Sequence, residues 1–528
     1  MLFGELPHRD NAAVPQERPF EGTSAPLEQE AEDGFQFALY LFPELQDWLP
    51  LLRRLAVSPG NAAYITLVAR GNGTDFQTEL LASGLIDEAD FYRALAEEIG
   101  VGHAEAVEQD RLFISDEAAV SCLRRRARPL TVKLAGRDNT TSYLLVPDGI
   151  PLDRLRQIAD HPNVAGWLKI VSPAALHSAL FSRVRLLLAR RATSDLFDRF
   201  PDLSARLVAN GWQGSVLGGG LVALLMALWL NPAGTWLVLH IFFTVFFIAC
   251  VGLRFAAFPS TGRPQAGALA APPASELPVY SVLVALHREA EIVPELVAAL
   301  ERIEWPKSKL EIKLVCEADD LQTLDALRSL ALPRNMAVVE VPVFGPRTKP
   351  KALAYALPLA SGEFVVLYDA EDHPHPQQLL GAWRKFQESP PEVACVQAPL
   401  EVSNGDAGFV ARMFAFEYAA LFRGMLPWLA SRRMLVPLGG TSNHFRRAVL
   451  EEVGSWDPYN VTEDADLGMR LARFGYRTET IAFPTYESGP DAFATWLPQR
   501  TRWFKGWMRL YKNSTNYLKY NNKLNSIF

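Results

Sequence analysis

Five short runs, Tyr280 to Leu286, Ile312 to Cys316, Ala337 to Val341, Phe364 to Tyr368 and Val393 to Ala398, are apolar and rich in β-branched residues, and helical patterns separate most of them. A strand reads as continuously apolar when both of its faces are covered, and helices between such strands supply the cover. The pattern predicts an α/β fold with a doubly wound, mainly parallel sheet in residues 279–513. Ligands gather at the carboxyl ends of the strands of such sheets, so the residues just after these runs are the first place to look for chemistry.

The stretches Val216 to Leu230 and Thr235 to Leu253 contain no Asp, Glu, Lys or Arg and are separated by Asn231-Pro232-Ala233-Gly234. They predict a transmembrane helical hairpin over 212–254, with Trp212 extending the first arm to the interface. Arg183, Arg185, Arg190, Arg191, Arg199 and Arg206 precede it, and Arg254 and Arg263 follow. That arrangement puts both flanks on the cytoplasmic side of a bacterial inner membrane, in a multi-pass topology. His240 is expected to pack against the neighbouring helix.

Upstream, residues 36–190 read as a small α/β domain. Thr74 and Gln77 have capping-box spacing ahead of Phe76, Leu80 and Leu81, and Gly84 closes the turn. A second helix starts at Asp87, carries Phe91, Leu95 and Ile99 on one face and stops at Gly100. Strands are expected at Leu130 to Leu134 and Tyr143 to Val146, and a further helix at Ser172-Pro173. Residues 1–35, which lack the apolar stretch of a signal peptide, are expected to be disordered. Residues 259–278, rich in Pro, Ala and Gly, read as a linker. The Asn- and Lys-rich end, 514–528, reads as an atypical tail and a candidate truncation.

A formal charge of −7 excludes a duplex-binding protein, which needs a concentrated basic face. No nucleic-acid partner is expected. Cys122, Cys250, Cys316 and Cys395 form no CxxC pair and are expected to be reduced rather than bridged or zinc-bound.

Chemistry-bearing residues follow the strands. Asp369 and Glu371, two positions apart at a strand end, can share a divalent cation that also holds a diphosphate. Glu317, Asp319 and Asp320, after the second run, can accept hydrogen bonds from a nucleobase or ribose. Lys349 and Lys351 stand at a helix start, where the dipole disfavours cations and a bound phosphate would explain them. Thr462 is placed to cap a helix whose first turn carries Glu463 and Asp464, keeping an anionic base ready. A sugar hydroxyl needs such a base, while cations offset charge on the departing diphosphate. Arg502 can grip that diphosphate, and Trp503 can present its ring to a sugar.

Taken in order, the acidic strand end, the Asp-x-Glu pair, Thr462-Glu463-Asp464 and Gln499-Arg500-Thr501-Arg502-Trp503 resemble the family 2 glycosyltransferases that include cellulose and hyaluronan synthases. The resemblance covers roughly residues 278 to 510. The runs DAEDHP, GGTSNHFRR, NVTEDADLG and QRTRWFKGW are most similar to the bacterial transferases named after a phage-adsorption protein B. The resemblance implies a GT-A fold, a UDP-sugar donor, Mg or Mn held by Asp369 and Glu371, and Asp464 as the base, flanked by Thr462 and Glu463. It also implies Gln499, Arg502 and Trp503 closing over the diphosphate, with Glu317 or Asp320 at the nucleoside. Gly440, Thr441, Asn443, His444 and Trp503 would meet a carbohydrate or lipid-linked acceptor. The pair here is Asp-Ala-Glu where the family has Asp-x-Asp. Separately, LIDEADFYRALAEEIGV and LLVPDGIPLDRLRQIA resemble the N-terminal domain of type II secretion ATPases.

The expected function is an inverting glycosyltransferase of cell-envelope or exopolysaccharide synthesis, with an envelope or export protein as a candidate partner. The alternative is a catalytically weak membrane component of an envelope assembly or phage receptor system. A nucleotidyltransferase shares the sheet and acidic pair but gives no reason for the Gln499 to Trp503 run.

Overall fold

The structure, a computed structural model, describes residues 25–124, 129–135, 141–162, 164, 166–206, 211–261 and 267–514. Most of the stretch expected to be disordered, Arg263 and nearly all of the atypical tail lie outside the described residues, as does the side chain of Trp212.

The N-terminal part opens with helices and continues into a mixed five-stranded sheet whose strands run 102–104, 168–171, 141–146, 130–135 and 112–113 across it. Both expected helices form, as Phe76–Ala82 and Glu88–Ile99, and Gly100 ends the second in the left-handed conformation at φ 73°. The cap of the first is Asp75 rather than Thr74. Asp75 accepts from the Thr78 amide at 2.8 Å, while the Thr74 hydroxyl is drawn to Glu79 at 2.6 Å. Across the domain, Gln77 donates to both Tyr92 and Asp148, and Tyr92 donates to Asp148. Burial, opposed by the Tyr92 hydrogen bond, pushes the Asp148 carboxyl up to about 6. A carboxyl raised on folding stabilises the fold below its unfolded pKa, and that stabilisation is lost as pH rises through about 6. Asp148→Asn is therefore expected to stabilise the protein by about 1–2 kcal/mol at pH 8, with no gain at pH 4, as read from thermal melts at the two pH values.

Ser172 starts the next helix by accepting from the Ala175 amide at 3.1 Å. That helix, Pro173–Arg199, runs through the expected domain end at 190. Its Leu180, Val184 and Leu188 belong to one hydrophobic core that contains both Leu144 and Val146 of the N-terminal sheet and Leu283 and Val315 of the second large sheet. The two parts are thus joined through shared packing, which a linker at 259–278 alone would not give.

The helical hairpin forms from Gly211–Leu230 and Pro232–Ala257. The reversal is tighter than the expected four-residue turn. Asn231 accepts from the Gly234 amide at 3.0 Å, and Pro232 already occupies the first helical turn. Pro232–Ala257 is long and apolar enough to cross a membrane, whereas the other apolar helix, Gly214–Leu230, is shorter than that test requires. Among the described residues one helix, rather than the expected two, meets the criterion for a span. His240 is exposed. The foot of the hairpin, Phe258–Thr261, packs on the Ala420–Met425 turn.

The second large sheet has seven strands among the described residues: β1 Tyr280–Leu286, β2 Leu310–Glu317, β3 Met336–Val341, β4 Phe364–Tyr368, β5 Val393–Gln397, β6 Asn443–Arg446 and β7 Arg477–Thr480. All five predicted strands are present. Their order across the sheet is β7-β5-β6-β4-β1-β2-β3, parallel except where β6 runs antiparallel to β4 and β5. Alternate residues serve opposite faces. Leu283, Val315 and Val365 pack towards the core containing Leu353 and Leu467, while Val282, Ile312 and Val366 pack with Leu296, Leu324 and Leu379. Helices therefore cover both faces, as the apolar runs predicted. Cys316 and Cys395 are buried in this sheet, Cys122 is half-buried and Cys250 is exposed on the hairpin, and no disulfide joins them among the described residues.

Candidate active site

A cavity of about 380 Å³ opens at the carboxyl ends of the parallel strands. Its walls include His287 and Glu289 after β1, Glu317 at the end of β2, Asp369 and Glu371 after β4, Lys349, and Arg502 of the Phe493–Ser514 helix. Asp369 and Glu371 thus line one space with Arg502, which lies more than 130 positions further along the chain. Arg288 holds a left-handed backbone at φ 61° beside it, and its amide donates to Asp320.

Asp464 does not line this cavity; its carboxylate acts electrostatically on Lys349, which does. The Lys349 ammonium pairs with Asp369 and donates to the Gly440 carbonyl at 2.7 Å. Burial opposes that charge, but Asp369, Asp464 and Glu463 together raise the Lys349 pKa above its ordinary value. A Cβ built on Gly440 would lie 3.8 Å from Asp464 Oδ2. Burial, and after it the Glu463 carboxylate, holds the Asp464 carboxyl well above the usual range; Lys349 partly offsets this. Glu463 is raised in the same way, by burial first. A poorly solvated carboxylate is a stronger base than one in water, the property a group that takes a hydroxyl proton needs.

The other predicted residues divide sharply. Lys351 is fully buried and pairs with Glu317 at 2.6 Å, so it braces the end of β2 from within and does not reach the cavity. Asp320 caps the Leu321–Ser329 helix. Burial would raise its pKa, but the amides of Arg288 and Thr323 hold it below the ordinary value. Asp319 pairs with Arg347 at 2.6 Å on the rim. Thr462 is not a side-chain cap: its amide and hydroxyl both donate to Asn460, and its methyl lies where a Cβ on Gly506 would be only 2.2 Å away.

The predicted acceptor run is mostly core. Thr441, Asn443 and His444 are buried because β6 fills the gap between β4 and β5. His444 bonds to the Tyr280 hydroxyl at 2.7 Å and to Gln378, and burial pushes its pKa down to about 3. Of that run, only Gly440 is exposed. Trp503 is half-buried and turned towards Phe414, with the Arg500 guanidinium 4.5 Å from its ring, and it does not line the cavity. Gln499 is half-buried, and its Oε1 has no hydrogen-bond partner among the described residues.

Three acidic residues were missed. Asp372 is fully buried and accepts from the Asp369 amide at 2.7 Å and from the Thr441 hydroxyl, fixing the turn that presents Asp369. Its place directly after the candidate metal ligand Glu371 was a usable signal. Glu289 lines the cavity, and burial raises its pKa, with Asp369 adding to the effect. Glu487, on a short strand that pairs with 373–374 and 400–402, is pushed up to about 8 by burial and then by Glu371 and Asp369. Nothing in its local sequence, TYESGP, marks it.

Residues 364–524 match the family model described as glycosyl transferase family group 2. The chain carries a glycosyltransferase family 2 domain. A probable glycosyltransferase of Bacillus subtilis, YdaM, is 26% identical over 242 residues, covering 44% of this chain and 56% of that protein. The β-monoglucosyldiacylglycerol synthase of Trichormus variabilis is also 26% identical over 242 residues, covering 44% and 50%. The chain spans about half the length of these curated relatives. Among solved structures, the mannosyltransferase PcManGT of Pyrobaculum calidifontis, in complex with GDP-Man and Mn2+, aligns over 51% of this chain and 74% of its own at 23% identity and a TM-score of 0.40. The cavity at the carboxyl ends of the strands, to which the matched residues Asp369, Ala370, Glu371 and Arg502 contribute, is the candidate active site.

Proposed function

We propose that this protein is an inverting glycosyltransferase of GT-A type, moving a sugar from a nucleotide donor, UDP-linked by preference, to a carbohydrate or lipid-linked acceptor hydroxyl. The observation that carries this reading is that Asp369, Glu371, Lys349 and Arg502 line one cavity, and that the Lys349 ammonium is held charged in part by the Asp464 carboxylate. In the proposed reaction Asp464 removes the acceptor proton as the new C–O bond forms, and Arg502 and Lys349 offset charge on the departing diphosphate. Inversion follows from a single displacement, in which base and leaving group act on opposite faces of the sugar carbon.

Asp369 and Glu371 are the residues that would hold Mg or Mn. The fit rests on hard oxygen donors crowded by like charge: burial raises the Glu371 pKa and Asp369 raises it further, with Lys349 the nearby cation that opposes it. Among the described residues no third His, Cys, Asp or Glu joins them in a closed metal cluster. Such an open pair leaves coordination to diphosphate oxygens and water. When bound, the cation would supply Lewis-acid stabilisation of the leaving diphosphate.

A membrane setting is part of the proposal. Trp236, Phe242, Phe246 and Ile248 of the Pro232–Ala257 helix are exposed, as are Leu221 and Leu225 of its partner. Exposed apolar surface of that extent calls for lipid or protein cover. With the flanking arginines, it supports a seat for this segment at a bacterial inner membrane, with Pro232–Ala257 the arm long enough to cross it. One curated relative is named for a glycolipid product and another, from Arabidopsis thaliana, for glucomannan, consistent with both acceptor classes and with envelope or exopolysaccharide synthesis.

A thermal-shift screen of UDP- and GDP-sugars with Mn tests this reading. At a donor concentration 100 times Kd, the native state should gain about 2.7 kcal/mol, visible as a higher melting temperature. If no nucleotide sugar shifts the melt of the folded protein, the alternative of a membrane assembly component becomes the better reading.

A further inference from the structure

The segment that leads into the hairpin is docked on the loop that leads to Asp464. From Thr193 to Arg206 the chain lies along the catalytic part. The Thr193 methyl sits where a Cβ on Gly345 would be 2.7 Å away, and Leu196 lies equally close to Gly454. Arg199 donates to the carbonyls of Glu451 and Glu452 at 3.1 and 2.8 Å. Phe200 meets Phe474 edge-on at 5.3 Å. Arg206 lies over the Tyr459 ring at 5.7 Å.

At the end of this arm stands one fully buried carboxylate, Asp457. It accepts from the Ser204 hydroxyl at 3.3 Å and from the Ala205 amide on the arm, and from the Tyr459 amide at 3.0 Å on its own loop. The loop continues to the base by short steps. The Asn460 amide donates to the Asp457 carbonyl, Asn460 receives both the amide and hydroxyl of Thr462, and the Thr462 carbonyl accepts from the Asp466 amide inside the helix that carries Asp464. The same loop holds the other side of the site, because Thr348, next to Lys349, donates to the Pro458 carbonyl at 2.9 Å. A buried carboxylate requires satisfied hydrogen bonds, and here the arm supplies two of the donors.

We infer that Asp457 is a positioning residue that couples the segment entering the hairpin to the Asp464 carboxylate, so that seating of the arm sets the geometry of proton removal. This rests on the transferase reading above. Asp457 lines no part of the cavity, so its loss acts on the chemical step rather than on donor binding.

The full-length chain in detergent, assayed with Mn for hydrolysis of UDP-glucose, UDP-N-acetylglucosamine and GDP-mannose, tests it. Asp457→Asn should lower kcat about 10- to 100-fold with donor KM within about 2-fold, since a misplacement of about 1 Å in a reacting group costs that much. Ser204→Ala should lower kcat by less, about 3-fold, and Ser204→Thr, which keeps the hydroxyl, should restore it. Amide hydrogen exchange should quicken across 457–466 in Asp457→Asn and stay unchanged around β1 and β2. Unchanged kcat together with unchanged exchange in folded Asp457→Asn would overturn the inference. If Asp464→Asn also turns over normally in the same assay, the transferase reading falls with it; if Asp464→Asn is inactive, only the coupling is lost.

Discussion

Turnover of the Asp464→Asn variant is expected to fall about 10³-fold, close to 4 kcal/mol of transition-state stabilisation, while donor KM stays within about 3-fold. The amide keeps the size of the carboxylate and removes its basicity. Asp464 lies buried in the first turn of its helix, with burial and Glu463 both disfavouring its charge, so the fold already bears the cost of that anion. Its Oδ1 has no hydrogen-bond partner among the described residues. Removing the charge should therefore leave the melting temperature unchanged or raise it. A loss of activity that came from unfolding would lower both together, so paired kinetics and melts separate the two explanations. Turnover within about 3-fold of the parent would remove Asp464 from the mechanism.

The second large effect is expected in binding. Calorimetry of UDP titrated in the presence of Mn should show at least about 100-fold weaker association for Asp369→Asn than for the parent, and the parent should lose the same affinity when excess chelator is added. Asp369 sits where β4 ends, its amide held by Asp372 and its carboxylate by Lys349. The backbone contact survives the substitution, so the turn should keep its shape. The lost charge leaves Glu371 as the remaining member of the pair, and Lys349 without its closest counter-ion. Equal UDP affinity in parent and variant, with and without chelator, would mean that the pair holds no metal on which donor binding depends.

Much of the fold was legible because local rules and tertiary needs agree. The five apolar runs became strands because residues such as Val282 and Leu283 serve opposite faces of a sheet covered on both sides. Asp87, Gly100 and Ser172 mark helix ends where expected, each through a cap made within a few residues. Asp369, Glu371 and Arg502, which line the cavity, stood out as candidates because the roles proposed for them, a metal pair and a diphosphate clamp, demand particular side chains. Errors arose where a residue's partner lies far along the chain. Lys351 looked like a phosphate ligand, but its counter-ion is Glu317; His444 and Thr441 looked like acceptor contacts, but they are committed to Tyr280 and Asp372.

The amino-acid order alone determined the sheet, the apolar hairpin and the chemical identity of the residues after each strand, since periodicity and side-chain type are local properties. Only the three-dimensional packing decided which of those side chains face a shared cavity, that β6 buries most of the GGTSNHFRR run, and that the chain entering the hairpin holds the loop before Asp464. The physical reason is that burial and pairing depend on contacts between segments hundreds of residues apart, and no local pattern encodes which donor will satisfy a given buried carboxylate.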